Sequence, residues 1–202
     1  MMKHIYEKGT SDNVLLLLHG TGGNEQDLIS LGRFIDPHAH LLGVRGSVLE
    51  NGMPRFFRRL SEGVFDEKDL VERTTELKDF IDEAAETYQF DRGRVIAVGY
   101  SNGANIAASL LFHYQDVLKG AILHHPMVPI RGLKLPNMTG LPVFIGAGNY
   151  DPLCTKEESE ELYRYLRDSG ASASVFWQDG GHQLTQHEAE QARDWYKESI
   201  VS

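Results

Sequence analysis

Positive charge is the first thing the chain is short of. Twenty Lys and Arg face 29 Asp and Glu, for a net charge of −9. That balance argues against nucleic-acid binding and against a polybasic hold on a membrane, since both need a positive field. Cysteine is nearly absent. Cys154 stands alone, so no internal disulfide can form and the disulfide-stapled secreted class is excluded. The longest aliphatic run, Val14 to Leu18, falls far short of the ~20 residues a membrane-spanning helix takes. The segment Met1 to Glu7 has a charge but no apolar stretch behind it, so no signal peptide is expected. Low-complexity tracts, Pro/Ser linkers and repeats are missing as well, so no boundary divides the chain. One cytoplasmic domain over residues 1–202 is expected, with no stable membrane anchor and a homodimer left open.

What is present is an ordinary core-forming mixture, 41% hydrophobic and 24% charged. Short aliphatic runs read as buried strands: Val14–Leu18, Leu41–Val44, Val95–Val98, Ala121–Leu123, Val143–Ile145 and Val175–Trp177. Between them lie helical patterns. From Asp69 to Tyr88, Leu70, Leu77, Phe80, Ile81, Ala84, Ala85 and Tyr88 share one face. Thr155 with Glu158 and Thr185 with Glu188 have the spacing of capping boxes at two later helix starts, and Gly170 suits a helix stop. Continuously apolar strands alternating with helices predict an α/β fold, a mostly parallel sheet covered on both faces. The segment Gly46–Phe65 fits neither period and reads as a long loop.

Residues Arg94 to Ala108 read as strand, sharp turn and helix, and the turn is Gly99-Tyr100-Ser101-Asn102-Gly103. A serine held on such a turn has its hydroxyl clear of the sheet edge, and the flanking positions must be tiny where strand and helix cross. As a bare motif, G-x-S-x-G is equally a punctuated turn with a capping serine. Its flanks make Ser101 a candidate nucleophile. A nucleophilic serine needs a base, and the base an orienting acid, in the chain order Ser, Asp, His. Asp151 follows the strand near Val143–Ile145, beside Pro152, and His182 follows Asp179-Gly180-Gly181 after the last strand. Both land on the same rim as Ser101. Asp179 is the weaker orienting acid because it shares a loop with His182. His187 reads as a solvent-facing helix residue, and His38 and His40 as part of a polar connector. His124-His125 end a strand at the same rim. A metal reading of that pair is disfavoured, because no carboxylate or thiol follows at ligand spacing.

Acyl transfer also needs backbone donors for the developing oxyanion. Asn102, just after the nucleophile, is one candidate. Thr21 in His19-Gly20-Thr21-Gly22-Gly23 is the other, and Gly20 lies beside it. That loop lacks both the spacing and the lysine of a phosphate loop, and His19 reads as its brace.

Together, His19-Gly20-x-Gly22-Gly23, Gly99-Tyr-Ser101-Asn-Gly103-Ala104, Asp151-Pro152 and Gly181-His182 resemble the phospholipase/carboxylesterase family of α/β-hydrolases. Its relatives include the acyl-protein thioesterases and a bacterial branch linked to quinone stress. The resemblance runs from about Val14 to about Tyr196. It implies an α/β-hydrolase fold, Ser101, Asp151 and His182 as a triad, Thr21 and Asn102 as donors, and hydrolysis of short acyl esters or thioesters without a cofactor or metal. Tyr100 and Asn102 depart from the thioesterase wording, and Arg55-Phe-Phe-Arg-Arg59 is closer to the bacterial branch, which points away from lipid-modified proteins. A serine carboxylesterase acting on small esters is the expected function. A thioesterase or lysophospholipase, or a silent ligand-binding homologue, is the alternative.

The helices and strands use nearly the whole chain, leaving no inserted cap domain. The segment Gly46–Phe65 is therefore expected to cover Ser101. Met53, Phe56 and Phe57 from that segment, with Gly20, His125, Met127 and Tyr150, are candidate pocket walls. Arg55, Arg58 and Arg59 are expected to pair with acids rather than substrate, and Cys154 to be an inert, packed thiol.

Overall fold

The computed structural model describes residues 1–201. Its centre is a seven-stranded sheet in the order β1-β3-β2-β8-β9-β10-β11. The parallel strands are β2 (Val14–Leu18), β3 (His40–Val44), β8 (Val95–Tyr100), β9 (Gly120–His124), β10 (Pro142–Gly148) and β11 (Ser172–Gln178). Each contains one of the apolar runs read from the sequence. The remaining strand, β1 (His4–Glu7), runs antiparallel to β3 at the edge. It was not legible as a strand because all four of its residues are half-buried and no alternation marks them.

The continuous apolar runs are explained by a core on each face of the sheet. Successive side chains of a strand point to opposite faces. Val14, Leu16 and Leu18 accordingly enter one cluster, with α2 (Glu67–Tyr88), α3 (Asn102–His113) and α4 (Lys156–Asp168). Leu15 and Leu17 enter the other, with α1 (Ile29–Ile35) and α5 (Gln186–Tyr196). Each such leucine, fully buried, contributes about 1.5–3 kcal/mol relative to exposure. The long amphipathic helix begins two residues earlier than its periodicity predicts, because Asp66 caps it by accepting from the Asp69 amide.

Thr155 and Thr185 both cap as expected, each accepting from the amide three residues on. The reciprocal half of the box is not made. Glu158 instead accepts from the Val128 amide and from Arg131, and Glu188 turns inward to His124 and His125.

The expected long loop at Gly46–Phe65 is instead two small antiparallel hairpins, β4 (Val48–Glu50) with β5 (Met53–Arg55) and β6 (Arg59–Ser61) with β7 (Val64–Phe65). Strands this short cannot display a period. Among the described residues, no helix is long and apolar enough to cross a membrane.

Candidate active site

The centre of the site is the turn from β8 into α3. Ser101 has φ 54° and ψ −112°, a strained conformation for a residue with a side chain. It is held there on both sides: its amide donates to the His124 carbonyl at 2.9 Å, and its carbonyl accepts from the Asn105 amide at 3.0 Å. The flanking glycines are required by close approach. A Cβ on Gly99 would lie 2.6 Å from the Gly103 carbonyl oxygen, and one on Gly103 would run into the carbonyl of Leu18. Behind them the alanine-rich side of α3 is buried from Asn102 to Phe112.

Because β8, β10 and β11 are parallel, the loops leaving their C-terminal ends share one rim. The two outer loops are laced together, the Asn149 amide donating to the Gln178 carbonyl and the Tyr150 amide to that of Gly180, both at 2.9 Å. His182 Nε2 lies 2.8 Å from Ser101 Oγ, and His182 Nδ1 lies 2.8 Å from Asp151 Oδ2. The other oxygen of Asp151 accepts the amides of Leu153 and Cys154 at 2.9 Å each. Burial pushes the Asp151 carboxyl upward, but the Cys154 amide and the His182 ring together outweigh it and hold the group below the usual carboxylate range. Tyr100 donates its hydroxyl to the His182 carbonyl at 2.8 Å and fixes that loop. Asp179, the rival acid, accepts from Asn149 Nδ2 at 2.6 Å.

His19 braces the glycine loop as expected. Its Nδ1 lies 2.6 Å from the Gly20 carbonyl, and its Nε2 accepts from the Gly46 amide at 3.0 Å, which leaves a neutral ring. Burial favours that neutral form and lowers its pKa. Thr21 and Asn102 both border the cavity in front of Ser101. Asn102 is the first residue of α3, where a backbone amide has no acceptor within the helix.

That cavity has a volume of about 490 Å³, within the usual range for a small-molecule site. Gly20, Thr21, Asn102 and Met127 line it, together with Ser101 and His182. Four other expected wall residues lie elsewhere, and His125 is a fifth. Phe56 and Phe57 are buried in the core under the hairpins, where Phe57 meets the ring of Phe65 edge-on at 5.0 Å. Phe65 and Tyr100 are aromatic residues that do reach the cavity. Met53 packs beside Gly22, off the cavity, and Tyr150 is 75% exposed on the outer side of its loop.

The lining residues not anticipated include apolar Phe65, Pro152 and Leu153, and polar ones as well. Arg55, Arg59 and Glu62 reach the cavity from the hairpins. Their arginines do pair with acids: Arg59 with Glu50 at 2.8 Å, Arg58 with Asp66 at 3.0 Å, and Arg55 with Glu50 at 3.5 Å. Arg55 is only 3% exposed, and burial with Arg59 nearby pushes its guanidinium down to about 10.

His125 is wholly buried and faces Asp151 rather than the cavity, at 3.0 Å from Nδ1 to Oδ2. One atom each of His125, Asp151 and His182 fall within 4.8 Å of one another, and Oδ2 of Asp151 is within hydrogen-bond distance of the Nδ1 of both histidines. Cys154 borders the cavity too. Its thiol donates to the His125 carbonyl at 3.0 Å, and burial pushes its pKa strongly upward.

Residues 55–199 match the dienelactone hydrolase family. The chain is 92% identical over 200 residues to MhqD, a provisionally named hydrolase of Bacillus subtilis (strain 168), covering 99% of this chain and 100% of that protein. A crystal structure of the Bacillus cereus carboxylesterase is 59% identical and superposes with a TM-score of 0.98, over 99% of this chain and 95% of that one. The structure of YahD with malic acid is 30% identical, with a TM-score of 0.93 over 98% of this chain and 100% of that one.

Proposed function

The chain belongs to the dienelactone hydrolase/carboxylesterase family of α/β-hydrolases, and from that premise we propose that it is a serine carboxylesterase of small carboxylic esters. The observation that carries this reading is the unbroken hydrogen-bonded sequence from Ser101 Oγ through His182 to Asp151, with both links at 2.8 Å. Ser101 attacks the ester carbonyl while His182 Nε2 takes its proton. Asp151 stabilises the imidazolium that forms. The amides of Thr21 and Asn102 receive the oxyanion. His182 then returns the proton to the leaving alkoxide, and water, activated by the same histidine, hydrolyses the acyl-enzyme.

Serine rather than cysteine is the nucleophile in this reading, because the Cys154 thiol donates away from His182 and is held in its protonated form. The size of the cavity favours small acyl and alcohol groups. The alternative substrates, thioesters or lysophospholipids, would use the same groups. A cytoplasmic setting fits a chain whose one thiol is free.

The test is Ser101→Ala assayed on a short chromogenic ester. Turnover at the buffer rate with the fold intact supports the proposal, and near-wild-type turnover ends it.

A further inference from the structure

The hydrogen-bonded array does not stop at Asp151. Oδ2 of Asp151, the oxygen that faces His182, also faces His125 Nδ1 at 3.0 Å. The other nitrogen of His125, Nε2, lies 2.8 Å from Glu188 Oε1. The second oxygen of Glu188 pairs with His124 Nδ1. His124, His125 and Glu188 are all 0% exposed. Two local features are spent on making this possible. His125 takes the left-handed φ of 56° at the end of β9. Gly146 in β10 leaves empty the space that the Glu188 carboxylate fills, since a Cβ there would collide with it.

A neutral imidazole donates from one nitrogen only. His125 has a carboxylate oxygen at hydrogen-bond distance from each nitrogen, and a bare lone pair facing either one in a buried site would be repelled. Both contacts are satisfied when both nitrogens carry protons, and the Gln178 side-chain amide, 3.3 Å from His125 Nε2, then donates to the Gln183 carbonyl at 2.8 Å instead. Burial alone would discharge such a ring, but Glu188 and Asp151 outweigh it and raise its pKa, while the histidines hold Glu188 below its ordinary range against its own burial. Stability is a weak reason for such an arrangement, because buried ion pairs are often replaced by apolar residues without loss.

Resting on the triad reading above, we propose that His125 and Glu188 are positioning residues of the hydrolytic centre. His125, an imidazolium clamped between Asp151 and Glu188, shares the Asp151 oxygen that serves His182 and sets the fixed charge that the catalytic pair faces. The shared oxygen is the means. A fixed positive charge beside Asp151, with its ring 5.4 Å from that of His182, opposes a second positive charge on His182. Glu188 prevents that fixed charge from being lost. The other titratable groups around His125 are Tyr100, whose ring meets it edge-on at 6.1 Å, the Cys154 thiol on its carbonyl, and neighbouring His124.

Two readouts decide it. Nitrogen NMR on the full chain with isotope-labelled histidine, assigned by loss of signals in His125→Asn, reports each ring. Both nitrogens of His125 are expected to carry protons at about pH 6.5, where an ordinary histidine is half discharged, whereas a ring with one bare nitrogen at that pH overturns the proposal. Asparagine tolerates positive φ and its amide can still donate to Asp151, so His125→Asn removes the charge while keeping the contact. Its kcat/KM profile on a short ester is expected to show the acid limb moved up by about one pH unit. An unmoved limb would make His125 a packing residue and overturn the proposal. The spectrum needs no turnover, so it still decides the state of His125 if Ser101→Ala should defeat the triad reading.

Discussion

Arg55 holds Thr21. Its Nη1 donates to the Thr21 hydroxyl at 2.5 Å, and the next residue, Phe56, donates its amide to Asn102 Oδ1 at 2.7 Å. One stretch of the first hairpin thus fastens the side chains of both residues proposed to supply oxyanion donors. The Gly22 amide, bonded to the Pro54 carbonyl at 3.0 Å, adds a third tie.

Arg55→Met should therefore lower kcat more than it raises KM. An oxyanion donor removed outright costs about a hundredfold to a thousandfold, and a donor merely loosened should cost about tenfold or more. Steady-state kinetics on a short ester check this. A variant that raised KM alone would place Arg55 in substrate binding instead.

Gly103→Ala should destabilise the fold by about 3 kcal/mol or more, because its Cβ would run into the Leu18 carbonyl and backbone cannot give way as a side chain can. Urea denaturation should show a lower midpoint at an unchanged slope. Stability equal to wild type would mean that α3 can lift off β2.

The buried charges behind Ser101 give stability a defined pH dependence. Asp151 and Glu188 are held below the ordinary carboxylate range. Their contribution is complete above about pH 4 and is lost as pH falls through their folded values. His125 is raised, so its contribution is complete below about pH 6.5 and is lost as pH rises through its folded value. Glu188→Gln should cost about 3–5 kcal/mol near neutral pH by leaving His125 short of a partner. Denaturation midpoints across pH, for wild type and variant, measure both statements.

Cys154 should resist alkylation in the native protein and react only after unfolding, since its thiol is buried and protonated. Mass spectrometry after native and denaturing treatment with iodoacetamide distinguishes the two. Rapid native labelling would reopen the case for a thiol nucleophile.

What the sequence displayed well was whatever its neighbours along the chain dictate. The apolar runs of the central strands, the glycines flanking Ser101 and the cap threonines each answer to a local demand, and so could be read locally. Glu188 shows where that stops. Its spacing from Thr185 reads as the second half of a capping box, yet its carboxylate serves His124 and His125, brought to it only by the folded sheet. Phe56 and Phe57 were misassigned for a related reason: being apolar and near the site says nothing of which side of a hairpin they pack on. Arg55 offered one signal, its place among the arginines, but its hold on Thr21 depends on how the first hairpin seats against the glycine loop.

Ser101 Oγ is the atom acylated in the proposed reaction, and covalent labelling tests this most directly. The protein treated with an organophosphonate probe, digested and mapped by mass spectrometry, should carry a single adduct on Ser101. Ester hydrolysis should fall in proportion to labelling, and His182→Ala should suppress both. An adduct on any other residue, or full hydrolysis in a protein completely labelled at Ser101, would contradict the account.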